Sequence, residues 1–302
     1  MNARFRLPAI LAFPLAALLA VAALGGIALP AVYAQEHPHW SAQGYGQDWV
    51  DLVLVSPLLA LVARLVLKGS RRAALLLAGL LAYALYSMVL YAFFMHFGPL
   101  FLVYTAALGL AFYALVALVS AFTAEDMPAW FGPGAPVRLA GALSVILGGA
   151  YGVMWLAEVV PALARGTGLA SAAGSGLITN PVQVLDFGIV LPAFVIGGVA
   201  LARRRPLGYW LAPTMLGFAV VMDAALVGMS VSVRARTWGE GPPLAFLVTS
   251  AVVTAAVLAL LLRRAPQAGS EAGRSGTGPA PGGEFDERLP DSGVRIEARD
   301  EV

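Results

Sequence analysis

The chain of 302 residues is 60% hydrophobic and 12% charged, has a mean hydropathy of +0.81 and contains no cysteine. A soluble domain carries about 25% charged residues and about 45–50% apolar ones, so an ordinary globular fold is excluded. The missing cysteine excludes disulfides, thiolate metal centres and cysteine nucleophiles. Residues 265–302 hold eight acids and four arginines, so residues 1–264 carry +6 within an overall +2.

Eight apolar segments are predicted, at 8–33, 50–67, 73–95, 98–122, 138–164, 182–202, 208–232 and 243–262. About 20 apolar residues in a helix span a bilayer. Lipid offers no partner to an open backbone, so each segment is expected as a helix. A barrel would need alternating segments of about ten residues, and the chain has none. The predicted fold is all-α: a polytopic integral membrane bundle of eight transmembrane helices over residues 1–264. A disordered cytoplasmic tail follows at 265–302, rich in Gly, Pro, Ser and acids and too polar to offset its ordering entropy.

Segment one follows Arg4 and Arg6 and ends in Val32-Tyr33-Ala34, which also fits a cleaved signal peptide. Its long apolar stretch, against about 7–15 residues in a signal core, favours a retained span. His37 and His39 follow in the first connection. Segment two opens on Asp51, which reads as interfacial and hydrated, at a helix N-terminus where the dipole favours an anion. Pro57, Arg64 and Lys68 follow, and Arg64 is close enough to the segment's end to snorkel to the headgroups. Segment three carries Tyr83, Tyr86 and Tyr91, for which interfacial anchoring and packing are the ordinary reasons. His96 lies in the next turn. Three histidines without cysteine or an identifiable fourth ligand read as surface residues, not as zinc ligands.

On segment five Tyr151, Trp155 and Glu158 are spaced i, i+4, i+7 along one helix face, and Glu158 has Arg165 within reach. Gly141, Gly148 and Gly152 offer a small-residue stripe for close helix approach. On segment six Asn180, Gln183 and Asp186 share a face of oxygen-bearing side chains, a donor type that suits hard cations. Segment seven holds Asp223 slightly past its middle, far from either terminus. Pro192 and Pro213 stand inside segments six and seven, where each removes a backbone donor.

The connections sort by charge. Eleven basic residues (Arg4, Arg6, Lys68, Arg71, Arg72, Arg138, Arg203, Arg204, Arg205, Arg263, Arg264) fall at one end and three (Arg165, Arg234, Arg236) at the other. The positive-inside rule then puts both termini in the cytoplasm, in agreement with an even span count. Segments two and six also share a pattern at an offset of 135: Asp51, Pro57 and Lys68 against Asp186, Pro192 and Arg203. Four spans separate them, so a 4+4 duplication would be of the parallel kind.

From Gly46-Gln47-Asp48 onward, with Gly69-Ser70, the three tyrosines of segment three, Phe101-Leu102 and Tyr104, the chain resembles a group of uncharacterised bacterial multi-spanning membrane proteins. Asn180-Pro181 with Asp186, Leu191-Pro192, Arg204-Arg205-Pro206 and Gly208-Tyr209 extend the likeness. The group has no assigned activity, so the resemblance implies a location, the bacterial cytoplasmic membrane, and no functional residue. Eighteen arginines to one lysine fit a GC-rich bacterial genome.

An ionisable group at the centre of a span costs at least about 2.5–3.5 kcal/mol, which makes each one a functional candidate. Asp223, Asp186, Glu158 and Asp51, from four segments, all fall in the outer half. Converging on an outward cavity, they would attract a small cation or hold an exchangeable proton. The favoured expectation is therefore a small-solute or cation- or proton-coupled secondary transporter with these four acids as its binding site. The alternatives are a non-catalytic accessory or assembly protein and, last, a lipid-modifying enzyme. No P-loop, G-x-S-x-G elbow, H-E-x-x-H or dinucleotide motif occurs, so no catalytic residue and no cofactor are expected. The lipid bilayer is the partner expected, and the membrane-flanking basic residues exclude nucleic acid.

Overall fold

The computed structural model describes residues 3–123, 125–173, 177–237 and 243–264. The expected disordered tail lies outside the described residues. Among the described residues eight helices are long and apolar enough to cross a membrane: α1 (Ala3–Ala28), α2 (Pro38–Leu67), α3 (Arg71–Phe94), α4 (Phe101–Thr123), α5 (Val137–Arg165), α6 (Pro181–Ala202), α7 (Gly208–Thr237) and α8 (Leu244–Arg263). The molecule is an all-helical membrane bundle. Its outer face is apolar in a way no soluble fold would sustain: Leu102 is 75%, Val153 69% and Val53 66% exposed.

Two groups of four build the bundle. In the first, α1 packs on α2 and α4, and α3 on α2 and α4; in the second, α5 packs on α6, α6 on α7, and α7 on α8. The groups meet along α3 and α7, and the first stretch of α2 also lies on α7. α3 is the most enclosed helix, with 72% of its most apolar window buried against 28% for α4. Helix α1 is part of this core, since Phe5, Ala9, Ala12 and Leu15 are fully buried. The Gly141, Gly148 and Gly152 stripe of α5 packs on α6, against Gly198, Phe194 and Leu191.

Helix starts follow local chemistry. Ser70 accepts the Ala73 amide at 3.2 Å, and the Asn180 carboxamide oxygen accepts from Val182 at 2.9 Å. Pro38 and Pro181 stand in first turns, where no backbone donor is needed.

The main departure from the sequence reading is α2. It starts at Pro38 and not near residue 50, so Asp51 lies inside a continuous helix. Asp51 is 3% exposed, which corrects the expectation of a hydrated, interfacial residue at a helix N-terminus. At that point the helix widens into a π turn, Asp51–Val55, closed by the Ser56 amide on the Asp51 carbonyl. α6 does the same over Asp186–Val190, closed by the Leu191 amide on the Asp186 carbonyl. Each π turn is followed at once by a proline-bearing turn, Pro57 or Pro192. A proline ring crowds the carbonyl four residues back and supplies no donor, and a single wide turn is one way a helix absorbs that. The offset of 135 is thus one of backbone conformation as well as of residue type.

Candidate functional site

The polar interior is organised around α3, whose three tyrosines each donate a phenol to a carboxylate. Tyr83 donates to Asp51 Oδ1 at 2.8 Å, Tyr86 to Asp186 Oδ1 at 3.2 Å and Tyr91 to Asp48 Oδ1 at 3.2 Å. Their expected roles as anchors and packing residues are therefore incomplete. Tyr83 and Tyr86, three residues apart on one helix, serve acids from different halves of the bundle.

The first network joins the α1–α2 connection, α2 and α3. Asp48, 2% exposed, receives Tyr33 on Oδ2 at 2.5 Å opposite Tyr91 on Oδ1. Tyr33 precedes α2, and burial together with the nearby Asp48 charge raises its phenol far above the usual tyrosine range, so it stays a donor. Gln47 Nε2 donates to Ser87 Oγ at 3.0 Å and to Tyr83 Oη at 3.3 Å, which links Asp51 to the same network. Gly26 of α1 makes room: a Cβ there would run into the Asp48 carboxylate.

The second network lies between α5, α6 and α7. The face of α5 predicted from spacing makes three polar contacts in order. Tyr151 donates to Asp223 Oδ1 at 3.4 Å, Trp155 Nε1 to Asp186 Oδ2 at 2.7 Å, and Glu158 Oε2 accepts from Gln183 Nε2 at 2.6 Å. Glu158 Oε1 also takes the Ser171 amide at 2.8 Å, so its bonds run to the α5–α6 connection and α6 and not to Arg165. Asp223 is 3% exposed, and its Oδ2 has no hydrogen-bond partner among the described residues, although Ser250 of α8 lies beside it.

The hydrogen bonds thus divide the four acids named from sequence between two networks. Glu158 stands on the α5 face and Asp186 and Asp223 are bonded to that face, while Asp51 belongs to the first network; Tyr83 and Tyr86 of α3 bring the two networks together. Among the described residues no three His, Asp or Glu side chains gather as a metal site. His96 binds Glu36 Oε1 through both its amide (2.8 Å) and Nδ1 (3.0 Å), tying two connections together. Arg64 points off the bundle.

Sequence reasoning missed Asp48, Gln47 and Tyr33 as site residues. Gln43, Gln47 and Asp48 lower the local hydropathy and push the apparent start of segment two past them. The signal that could have found them is the helix start: His37 followed by Pro38, with the imidazole accepting the His39 amide at 3.3 Å.

Comparison of the chain with family models, with curated proteins and with solved structures finds no match.

Proposed function

We propose that this chain is a proton-exchanging secondary transporter for a small solute or cation, with its acids working as two tyrosine-bonded networks that meet on α3. The observation that carries the reading is the neutrality of the partners. Asp48, Asp51, Asp186 and Asp223 are bonded by phenols and an indole, and among the described residues no guanidinium or ammonium is bonded to them. A carboxylate within a span and without a countercharge is costly, and proton exchange is the chemistry open to it. π turns recur at functional sites in helices, and both of those here begin on an acid of the network. The arginine bias supports a bacterial cytoplasmic membrane setting with both termini inside.

The test is infrared titration of the protein in lipid. Each of Asp51→Asn, Asp186→Asn and Asp223→Asn is expected to remove about one titrating proton per chain and to abolish part of the carboxyl band that shifts in heavy water. If none of the three changes the titration, the acids are structural and the transport reading fails.

That outcome would favour an accessory or assembly protein. Its supporting observation is close packing: Gly46 faces the Gly228 carbonyl and Gly79 the Gly217 backbone, as in a bundle built to hold one shape.

A further inference from the structure

At the end of the bundle that bears the histidines, a narrow pocket opens between the α1–α2 connection and the α3–α4 turn. Val32, Tyr91, Met95, His96, Leu100 and Tyr104 line it. His96 of this lining is paired with Glu36 of the α1–α2 connection at 3.0 Å. Inside, the Tyr91 and Tyr104 rings lie 5.1 Å apart. Tyr104 is 5% exposed, and its hydroxyl has no hydrogen-bond partner among the described residues. A buried hydroxyl is costly without a partner, and Tyr104 is one of the residues that line the pocket. Tyr91, whose ring packs on Tyr104 and which also lines the pocket, is already bonded through its hydroxyl to Asp48. Asp48 in turn lies one helical turn from Asp51 on α2.

We propose that this pocket is the port through which water delivers protons to Asp48, with Tyr104 as the docking hydroxyl and Tyr91 as the relay. A hydronium ion held at Tyr104 gives a proton to the Tyr91 oxygen and is left as neutral water, while Tyr91 passes its own phenol hydrogen to the Asp48 carboxylate at Oδ1, which becomes the neutral acid. One O–H bond forms and one breaks at Tyr91, which ends unchanged, and a net proton moves inward. The port gives the acid networks an entrance and takes its purpose from the proton-exchange reading. Its test reads access alone and so can fail separately.

The absence of cysteine allows a single reactive thiol to be placed at will. Gly98 sits in the α3–α4 turn, and a Cβ there meets only the His96 carbonyl oxygen at 3.6 Å, so Gly98→Cys fits. The readout is deuteration of the Tyr91 phenol, followed by its infrared C–O–H bending band and assigned by the band's loss in Tyr91→Phe. It is visible whichever protonation state Asp48 holds. Labelling Gly98→Cys with a bulky maleimide is expected to slow this exchange on the order of tenfold. Labelling Gly168→Cys, in the α5–α6 connection, should leave it unchanged, and Tyr104→Phe should slow it without any label. Exchange at the unlabelled rate after the Gly98 position is blocked, or no exchange in either state, overturns the port. Exchange in Tyr104→Phe equal to that of the parent removes Tyr104 from it.

Discussion

At the scale of single residues, the interior rests on phenols aimed at carboxylates, and the cost of losing one can be stated. Tyr83→Phe keeps the ring but leaves Asp51 Oδ1 without its donor and Gln47 without one of its acceptors. A buried polar group left short in this way costs about 1–3 kcal/mol in water-soluble proteins, and bonds between membrane helices average about 0.6 kcal/mol. A loss of about 1 kcal/mol is expected in denaturant unfolding from detergent. Tyr113→Phe, on the exposed face of α4, should change nothing. Tyr33 adds a pH signature. Its phenol is held neutral by burial and by Asp48, so its stabilising share is fully present below the unfolded tyrosine value near pH ~10 and is lost as pH rises beyond that. Thermal unfolding between pH 8 and 11 should therefore fall less steeply in Tyr33→Phe; an unchanged alkaline slope would show that Tyr33 contributes nothing there.

At the scale of elements, the helices were largely legible in the sequence because lipid enforces one backbone solution and length alone identifies it. Seven of the eight starts fall close to the expected positions. The eighth, α2, was displaced because its first turns carry Gln47 and Asp48, polar residues that are buried against α1, α3 and α7, where no hydropathy window can see them. The α5 face was readable for a similar reason: helical spacing fixes which side chains share a side, and Tyr151, Trp155 and Glu158 do make their contacts in register. What spacing could not supply was the other half of each pair, since Asp223, Asp186 and Gln183 meet them only through tertiary packing. The crossing of α2 on α7 provides a direct test at this scale. A Cβ on Gly46 would collide with the Gly228 carbonyl, a backbone atom that cannot step aside. Gly46→Ala is expected to cost about 1–3 kcal/mol by overpacking and to disturb Gln47 and Asp48 beside it. Gly109→Ala and Gly149→Ala, where an added Cβ meets nothing within 4 Å, should be neutral or slightly stabilising. Equal stability of all three variants would show that α2 and α7 do not approach as closely as described.

At the scale of the whole molecule, charge and polarity are segregated along the bundle, and the two asymmetries point the same way. Eleven basic residues crowd one end, whereas the connections of the other carry three arginines, all three histidines, Tyr33 and the described pocket. On the proposed transport reading the acids must be reachable from at least one side, and the end with three arginines opposes protons less than the end with eleven basic residues. Orientation is therefore a functional matter and not only a topological one. If basic connections stay in the cytoplasm, a fluorescent-protein fusion after Arg264 should glow in bacterial cells. Alkaline phosphatase fused after Gly98 or Gly168 should be active, and fused after Gly69 inactive. The opposite pattern would put the pocket in the cytoplasm, so that the port proposed for Asp48 would draw protons from inside the cell. A mixed pattern would mean that fewer than eight of the helices cross. Moving Arg71 and Arg72 to the α3–α4 turn as a paired substitution is expected to degrade the clean pattern, because a bias of this kind acts through the residues nearest the helix ends.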